Sequence, residues 1–350
     1  MKTHAIIPIF IPHRGCPNDC VFCNQRRITS KLFSPTEAEV RNTIDDWLTT
    51  LDDVPNVHVA FYGGSFTAIP MEEQVKYLKI AHEYKTNGLV SEIHLSTRPD
   101  CIDDEVLENL KIYGVDLIEL GCQSFDDDVL SASKRGHNTK DIYRACSLIQ
   151  SADFKLGIQL MVGLPKSTRE SDILSAQRTV EIMPDVARIY PTIVIEDTEL
   201  LDMVKSGEYS PLALDEAAWR SKEMLKVLNA SGVNVIRIGL KASDLISGDG
   251  KFTGTTFHPA FRQLVEGSLA RESIEEQLLH LFGNQLRHQA SDNQKLRVIA
   301  SANPASFSNL VGHKAENRKY FVDKYTNMQF LFRVDNSLAA GEYFVEIEKL

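Results

Sequence analysis

The sequence contains no apolar run that approaches the roughly 20 residues needed to span a bilayer, so it does not predict a membrane enzyme. It also begins without the charged-then-apolar pattern of a secretory signal, and the cytoplasm is therefore the expected compartment. Basic residues are in deficit, since 38 Lys and Arg face 48 Asp and Glu for a formal net charge of −10. Neutralising phosphates requires clustered Lys and Arg, so this balance argues against a protein whose whole surface binds nucleic acid. Local basic patches remain compatible with it.

Cysteine is also scarce, and only three of the six cysteines lie close together, as Cys16-x3-Cys20-x2-Cys23 directly after an apolar run. Three thiolates from one loop can hold three corners of an iron–sulfur cube and leave the fourth iron open to another ligand. A zinc site would usually take a second cysteine pair, and disulfides suit small secreted domains. The other cysteines stand alone: Cys101, Cys122 and Cys146. The spacing therefore favours an iron–sulfur cluster over zinc and over a disulfide.

Short apolar segments alternate with helical patterns along the first two thirds of the chain, which predicts six βα units and a parallel sheet. Capping boxes at Ser34–Glu37 and Ser167–Glu170 are expected to open two of the helices. The strands are expected at Ala5–Pro12, Val57–Tyr62, Glu92–Thr97, Leu117–Cys122, Lys155–Val162 and Val186–Tyr190. An open doubly wound sheet and a barrel both satisfy this pattern. Polar motifs directly after the strand ends favour an α/β fold built on a partial (β/α)6 barrel, whose strands share one mouth.

The remainder of the chain predicts a small C-terminal α/β domain, with residues 1–240 as the core domain and 241–350 as the second domain. Helices are expected near Phe261–Ala270 and Ile274–Arg287, followed by a β-α-β-β pattern. The elements of that pattern are a strand at Leu296–Ala300, a helix near Ala305–Lys324, and strands at Met328–Val334 and Tyr343–Glu348.

Small and polar residues at the predicted strand ends form the candidate site: Gly63, Gly64, Ser65, Ser96, Glu119, Gln123, Arg135 and Gln159. The glycine pair predicts either a close approach of backbone to a ligand or a tight turn. Glu119 and Gln123 lie within apolar strands, where polar groups are costly unless satisfied. They are expected to face a polar cavity, or to brace the barrel through internal hydrogen bonds. Arg135 suits a bidentate grip on a carboxylate, or lies on the solvated surface.

The cysteine loop, with Phe22 just before its last cysteine, resembles the signature loop of the radical S-adenosylmethionine enzymes. The resemblance implies a [4Fe-4S] cluster whose open iron is chelated by the amine and carboxylate of S-adenosylmethionine, with Phe22 against the adenine. One electron, from a donor such as flavodoxin or ferredoxin, then yields methionine and a 5′-deoxyadenosyl radical that abstracts hydrogen from a substrate. An oxygen-sensitive cluster fits a reducing compartment.

The ordered series GGSFTA, STRPD, ELGCQS, RGHN, MVGLP and YPT resembles the radical domain of the Elongator catalytic subunit over roughly residues 4–240. Oxygen-independent coproporphyrinogen oxidase is similar more distantly. These resemblances imply that Gly63 and Gly64, with Ser65, contact the methionine amine, and that Gln123, Arg135 and Gln159 lie on the nucleoside or methionine of the cofactor. The Elongator pattern has Glu where this chain has Ser96, so the ribose contact is shortened or supplied by water. An acetyltransferase domain is not expected within residues 241–350.

The leading hypothesis is a radical S-adenosylmethionine enzyme that acts on a tRNA uridine or another anionic substrate. Around the cysteine loop, Arg14, Arg26, Arg27 and Lys31 oppose only Asp19, which predicts a locally basic mouth. One alternative keeps the radical chemistry and takes a small molecule or a peptide as substrate. Another is a non-catalytic cluster-binding module.

Overall fold

The computed structural model describes residues 3–11, 20–24, 34–240, 252–253, 256–282 and 296–349. Its contacts divide the chain into two units, Met1–Phe257 and His258–Leu350. The domain boundary predicted at residues 240 and 241 borders a segment outside the described residues, and it stays a prediction. In the described parts of the chain, none of the helices combines the length and the apolar character that crossing a membrane requires.

The first unit is built on a sheet of seven parallel strands in the order β1-β2-β3-β4-β5-β6-β8. All neighbouring strands in this order pair in parallel, so the chain crosses back over the sheet between them. The strands of this unit are β1 (His4–Ile11), β2 (Asn56–Gly63), β3 (Glu92–Thr97), β4 (Leu117–Gln123), β5 (Lys155–Val162), β6 (Val186–Pro191), β7 (Val194–Ile195), β8 (Asn234–Ile238) and β9 (Phe252–Thr253). The predicted partial barrel is confirmed. The seventh strand of the sheet, β8, was not predicted.

Helices alternate with these strands and cover the sheet. They are α1 (Glu37–Leu48), α2 (Met71–Thr86), α3 (Asp104–Ile112), α4 (Asp127–Ala132), α5 (Thr139–Ser151), α6 (Arg169–Ile182), α7 (Glu199–Ser206) and α8 (Leu214–Ala230). The strands are apolar because both faces of a parallel sheet are covered, and all seven residues of β4 are buried. Glu119 is therefore a charged residue in the middle of a fully buried strand.

Two helices begin later than predicted. The capping box of α1 joins Thr36 to Glu39, not Ser34 to Glu37, because the Pro35 carbonyl lies outside the helix and accepts a hydrogen bond from the Tyr77 hydroxyl at 2.9 Å.

The capping box of α6 joins Thr168 to Ser171 in the same way. Ser167 instead closes a turn in which its amide donates to Leu164 O at 2.9 Å. Several hydroxyl and acidic residues in each stretch fit the capping pattern, and the preceding turn selects among them.

The second unit has a three-stranded sheet in the order β11-β10-β12, with β10 parallel to β11 and antiparallel to β12. Its elements are α9 (Phe261–Phe282), β10 (Leu296–Ala302), α10 (Phe307–Val311), α11 (Glu316–Lys324), β11 (Met328–Val334) and β12 (Tyr343–Lys349). The predicted small α/β domain is confirmed in outline.

Two helix predictions in this unit were wrong. The two helices expected before residue 287 are one continuous helix over the described residues, because the Arg271–Ser273 stretch between them contains no helix breaker. The single helix expected at Ala305–Lys324 is interrupted at Gly312, which has φ +80°. The Asn317 side chain packs into this break and donates to the Gly267 carbonyl at 2.8 Å.

Candidate functional site

The last residues of β1, β2, β3 and β4 meet at one edge of the sheet, because the strands are parallel. The cysteine segment lies beside this edge. Cys20 is buried and Cys23 is half-buried, and the Cys23 amide donates to Cys20 O at 2.9 Å. Cys16 and the basic residues expected around the mouth, Arg14, Arg26, Arg27 and Lys31, lie outside the described residues.

Main-chain hydrogen bonds hold the segment 20–24 on both sides. The Val21 amide donates to Ser133 O at 3.2 Å, and the Leu200 amide donates to Val21 O at 2.7 Å. The Asn24 side chain donates to Glu196 O at 3.2 Å. Phe22 packs against a small apolar cluster formed by Val21, Val194, Leu200 and Tyr209. The two described cysteines are thus fixed by α7 and by the turn after α4.

Arg135 connects the cysteine segment to the sheet. Its Nη1 donates to Cys20 Sγ at 3.0 Å, and its Nη2 donates to Gly121 O at 2.7 Å. The guanidinium also lies 5.8 Å from the centre of the Phe22 ring. A cationic donor beside a cysteine sulfur offsets the negative charge that the sulfur carries as a metal ligand.

One hydrogen-bond donor of Arg135 is unused within the described residues. Arg135 is buried, and its Nε has no hydrogen-bond partner among the described residues. The structure therefore brings Arg135 to the cluster loop, while its predicted grip on the methionine carboxylate stays a prediction.

Gln123 ends β4 in a strained conformation. It has φ +69°, and the β4–β5 pairing is irregular between Leu120 and Gln123. Its side chain is buried, and Oε1 has no partner within the described chain. Left-handed backbone costs a non-glycine residue about 1–3 kcal/mol, and such strain concentrates at functional sites. An unsatisfied buried acceptor adds a similar cost. Both observations favour a ligand-facing role for Gln123.

Gly63 and Gly64 pack closely against the backbone of the neighbouring strand. Gly63 has φ +117° and pairs with Ile11, and a Cβ at Gly63 would lie 2.3 Å from Ile11 O. The Gly64 amide donates to the same oxygen at 3.0 Å. The tight approach of β2 to the end of β1 thus accounts for Gly63 without a ligand. The predicted methionine contact of Gly63 and Gly64 stays a prediction.

Ser65 is also engaged by its neighbours. Its hydroxyl is 2.8 Å from Thr97 Oγ1 and accepts from the Arg98 amide at 3.1 Å. Gly64, Ser65 and Ser96 nevertheless border a small open cleft, whose other walls include Ile11 and Tyr62. The cleft lies beside the end of β1, where the cysteine loop begins.

An ion pair inside the barrel was missed by the sequence analysis. Glu119, with no exposed surface, accepts two hydrogen bonds from Arg188, one from Nε to Oε2 and one from Nη2 to Oε1. Arg188 lies on β6 and pairs with Gln159 of the intervening strand β5, whereas Glu119 pairs with Gly157 of that strand. A Cβ at Gly157 would lie 2.7 Å from Glu119 Cγ, so glycine leaves the space that the pair requires.

Further polar groups surround this pair. Arg188 Nη2 donates to the Tyr62 hydroxyl at 3.0 Å, and Gln159 Nε2 donates to Ser96 Oγ at 3.1 Å and lies 3.4 Å from Glu119 Oε2. Glu119 was expected either to face a polar cavity or to brace the barrel through internal hydrogen bonds. These contacts form the bracing network. The predicted cofactor contacts of Ser96, Glu119 and Gln159 stay predictions. A charged residue within the apolar segment VARIYP was the available signal for Arg188.

Electrostatics keep Arg188 charged and the neighbouring tyrosine hydroxyls neutral. Burial alone would lower the pKa of Arg188, but its tyrosine and glutamate neighbours outweigh that effect and raise it. Burial raises the pKa values of Tyr62 and Tyr190, so both hydroxyls stay protonated near neutral pH.

Patterns of known families match most of the chain. The Radical SAM superfamily pattern matches residues 10–177, and the Radical_SAM C-terminal domain pattern matches residues 184–271. With a parallel half-barrel and a cysteine segment at the carboxyl edge of its strands, the chain belongs to the radical SAM superfamily and is a radical S-adenosylmethionine enzyme. The cofactors of this family are a [4Fe-4S] cluster and S-adenosylmethionine.

The predicted Elongator relationship is also confirmed. The chain is 39% identical over 127 residues to the tRNA uridine(34) acetyltransferase of Methanocaldococcus infernus, which covers 35% of this chain and 24% of that protein. It is 28% identical over 243 residues to human Elongator complex protein 3, which covers 57% of this chain and 44% of that protein.

A solved structure shares the fold. The archaeal Methanocaldococcus infernus Elp3 with an N-terminal deletion superposes with a TM-score of 0.63 at 22% identity, over 78% of this chain and 64% of that chain. The two curated relatives are longer proteins, and this chain covers less than half of the length of either.

The described residues fit the family's cofactors. Cys20 and Cys23 lie near the strand ends, and Cys20 has a guanidinium donor on its sulfur. Gln123 and Arg135 each present a buried polar atom that lacks a partner in the described chain. Native proteins satisfy nearly all such atoms, and a bound group is one way to satisfy them.

Proposed function

We propose that this chain uses a [4Fe-4S] cluster on Cys16, Cys20 and Cys23 to cleave S-adenosylmethionine reductively and to abstract hydrogen from a tRNA uridine. The observation that carries the proposal is the contact of Arg135 with Cys20 Sγ, next to the strained Gln123 with its unpartnered Oε1. Catalysis of this kind needs a cofactor held rigidly against the metal, and the unpartnered polar atoms beside the cysteine segment support a cofactor site there.

The bound cofactors supply the one-electron cleavage and the hydrogen abstraction, with an electron donor such as flavodoxin or ferredoxin. The protein's own residues position and shield them. Arg135 balances the charge of the cysteine sulfur, and Gln123 Oε1 accepts a hydrogen bond from the nucleoside or from the methionine amine. Phe22 would lie against the adenine. The predicted contacts of Gly63, Gly64, Ser65, Ser96, Glu119 and Gln159 would complete the cofactor site.

The substrate is inferred from the relatives. A protein named tRNA uridine(34) acetyltransferase and a protein named Elongator complex protein 3 both match this chain. The similarity supports a radical step on a tRNA uridine. It gives no support for activities that depend on the unmatched parts of those proteins. A tRNA uridine therefore stands as the proposed target, with radical attack on the nucleoside as its chemistry.

The first experiment tests the cofactor site. Reconstituted, dithionite-reduced protein is incubated with S-adenosylmethionine, and 5′-deoxyadenosine is quantified. Loss of one hydrogen bond to a bound ligand costs about 1.4 kcal/mol, so we expect Gln123→Ala to raise the KM for S-adenosylmethionine about tenfold. Its iron content should be unchanged. The control is Gln150→Ala, because Gln150 is an exposed glutamine on α5 whose side chain donates to Ile182 O at 2.9 Å.

Equal KM values in the two glutamine variants would contradict the assignment of Gln123. If wild-type protein with a full cluster forms no 5′-deoxyadenosine, the enzymatic proposal fails and the non-catalytic cluster-binding module takes its place.

The second experiment tests the substrate. Bulk tRNA should increase the rate of 5′-deoxyadenosine formation, and its binding should weaken as salt rises from about 50 to 200 mM. Absence of both effects, with cofactor cleavage intact, would reject the tRNA uridine and leave the radical chemistry standing. A small molecule or peptide would then be the candidate substrate, which the net charge of −10 favours.

A further inference from the structure

A second cluster of metal-ligating side chains lies at the opposite edge of the barrel sheet, near the amino ends of its strands. His58, Glu92 and His94 bring their ligand atoms within 4.8 Å of one another. His58 is the third residue of β2, and Glu92 and His94 are the first and third residues of β3. At about 3.3 Å per residue, the cluster is on the order of 15 Å from the carboxyl edge.

The strand register places these side chains on one face. His58 pairs with Glu92, and His94 is two residues further along β3. Because side chains alternate across a strand, His94 shares its face with Ser96, which pairs with Glu119. The cluster thus faces the barrel interior, below the Glu119–Arg188 layer.

We propose that His58, Glu92 and His94 bind a divalent transition-metal ion of the zinc type. Two imidazoles and a carboxylate form a common protein ligand set for such ions, with metal–ligand distances of about 2.0–2.2 Å. Two ligands of a tetrahedral ion therefore lie about 3.4 Å apart. In the structure His94 Nε2 is 2.8 Å and His58 Nδ1 is 3.8 Å from Glu92 Oε2. Shifts of a few tenths of an ångström bring both separations to the required value.

Neighbouring groups complete the arrangement. Lys155 Nζ is 2.6 Å from Glu92 Oε1, which orients the carboxylate and leaves Oε2 for the ion. His4 Nε2 is 3.1 Å from His58 Nδ1, so His4 borders the cluster. Burial favours the neutral form of both His58 and His94, and neutral imidazole is the form that binds a metal. A bound ion would join the amino ends of β2 and β3.

The cysteine loop could also bind zinc, so the experiment separates the two sites. Zinc content is measured by mass spectrometry on the full chain after equilibration with zinc and gel filtration. We expect one zinc per chain to remain in the Cys16→Ala, Cys20→Ala, Cys23→Ala triple variant. We expect that zinc to be lost when His94→Gln is added, because a glutamine amide can still donate to Glu92 but does not replace an imidazole ligand.

The matched control is His82→Gln in the same triple variant, because His82 lies on α2 with its Nδ1 3.0 Å from Tyr113 O. This protein should retain its zinc. Circular dichroism establishes that all variants are folded, and zinc should raise the melting midpoint of the triple variant and of the control by roughly 3 °C but not that of the His94→Gln protein.

Three results would overturn the proposal. They are a folded triple variant without zinc, equal zinc content in the His94→Gln and His82→Gln proteins, and a melting shift that persists in the His94→Gln protein. None of these readouts depends on catalytic activity, so they are independent of the proposed radical chemistry.

Discussion

Replacement of Arg188 by methionine tests how far the Glu119–Arg188 pair holds the barrel together. The substitution keeps much of the side-chain volume and removes the cation that donates two hydrogen bonds to Glu119. Glu119 has no exposed surface, and Arg188 is only 8% exposed, so water does not replace the lost partner. Removing one partner of a buried pair leaves an uncompensated charge, at a cost of about 3–5 kcal/mol.

The magnitude is measured by urea unfolding of the full chain at pH 7, followed by circular dichroism. We expect the Arg188→Met protein to lose about 3–5 kcal/mol of unfolding free energy. The double variant Glu119→Gln, Arg188→Met should recover a large part of that loss, because it no longer buries an unpaired carboxylate. The control is Arg178→Met, whose pair with Glu181 is about half exposed and should be worth less than about 1 kcal/mol.

Two outcomes would refute this reasoning. If Arg188→Met costs no more than Arg178→Met, the interior of the barrel is hydrated and the pair is screened. If the double variant is as unstable as Arg188→Met alone, the loss comes from packing of the arginine stem rather than from the stranded charge.

Two further predictions concern backbone space and pH. Gly63→Ala should lower the free energy of unfolding by about 2–4 kcal/mol, because the new Cβ would lie 2.3 Å from Ile11 O in a left-handed backbone conformation. The control is Gly88→Ala, which should cost about 1 kcal/mol, because Gly88 also has a positive φ of +73° but no atom within 4 Å of its Cβ position. Equal losses of unfolding free energy in urea would contradict the steric contact at Gly63. Burial lowers the pKa of His137 from about 6.5 to about 4, so the unfolded chain takes up the proton first as the pH falls. The contribution of neutral His137 to the free energy of unfolding is complete above pH 6.5 and is lost as the pH falls towards 4. His137→Gln should therefore lose about 3 kcal/mol less unfolding free energy than the wild type over this pH range. Parallel pH profiles of unfolding free energy in the two proteins would reject this prediction.

Local sequence was sufficient for six of the seven strands of the barrel sheet. The six predicted strands of the sheet are all present, because a strand buried on both faces reads as a continuous apolar run. β8 was missed because Asn234 and Arg237 interrupt its apolar residues. The helix break at Gly312 was missed as well, since it depends on the Asn317 side chain that fills it.

The sequence did not predict which distant residues pair with one another. Glu119 was recognised as a costly buried charge, but its partner is 69 residues away on a strand that is not its neighbour. Arg135 was expected at the cofactor, and only the fold shows that its guanidinium donates to Cys20 Sγ. The histidines at the amino edge of the sheet are likewise far apart along the chain, and none of them belongs to a recognisable motif.

The sequence by itself determined the class of chemistry and the places of six strands along the chain, because cysteine spacing and apolar periodicity are local properties that no tertiary contact is needed to define. Only the tertiary structure decided which polar groups satisfy one another and which remain unsatisfied. A buried charge or amide can be paired by any complementary residue that the fold brings within about 3 Å, and that choice is made across strands rather than along the chain.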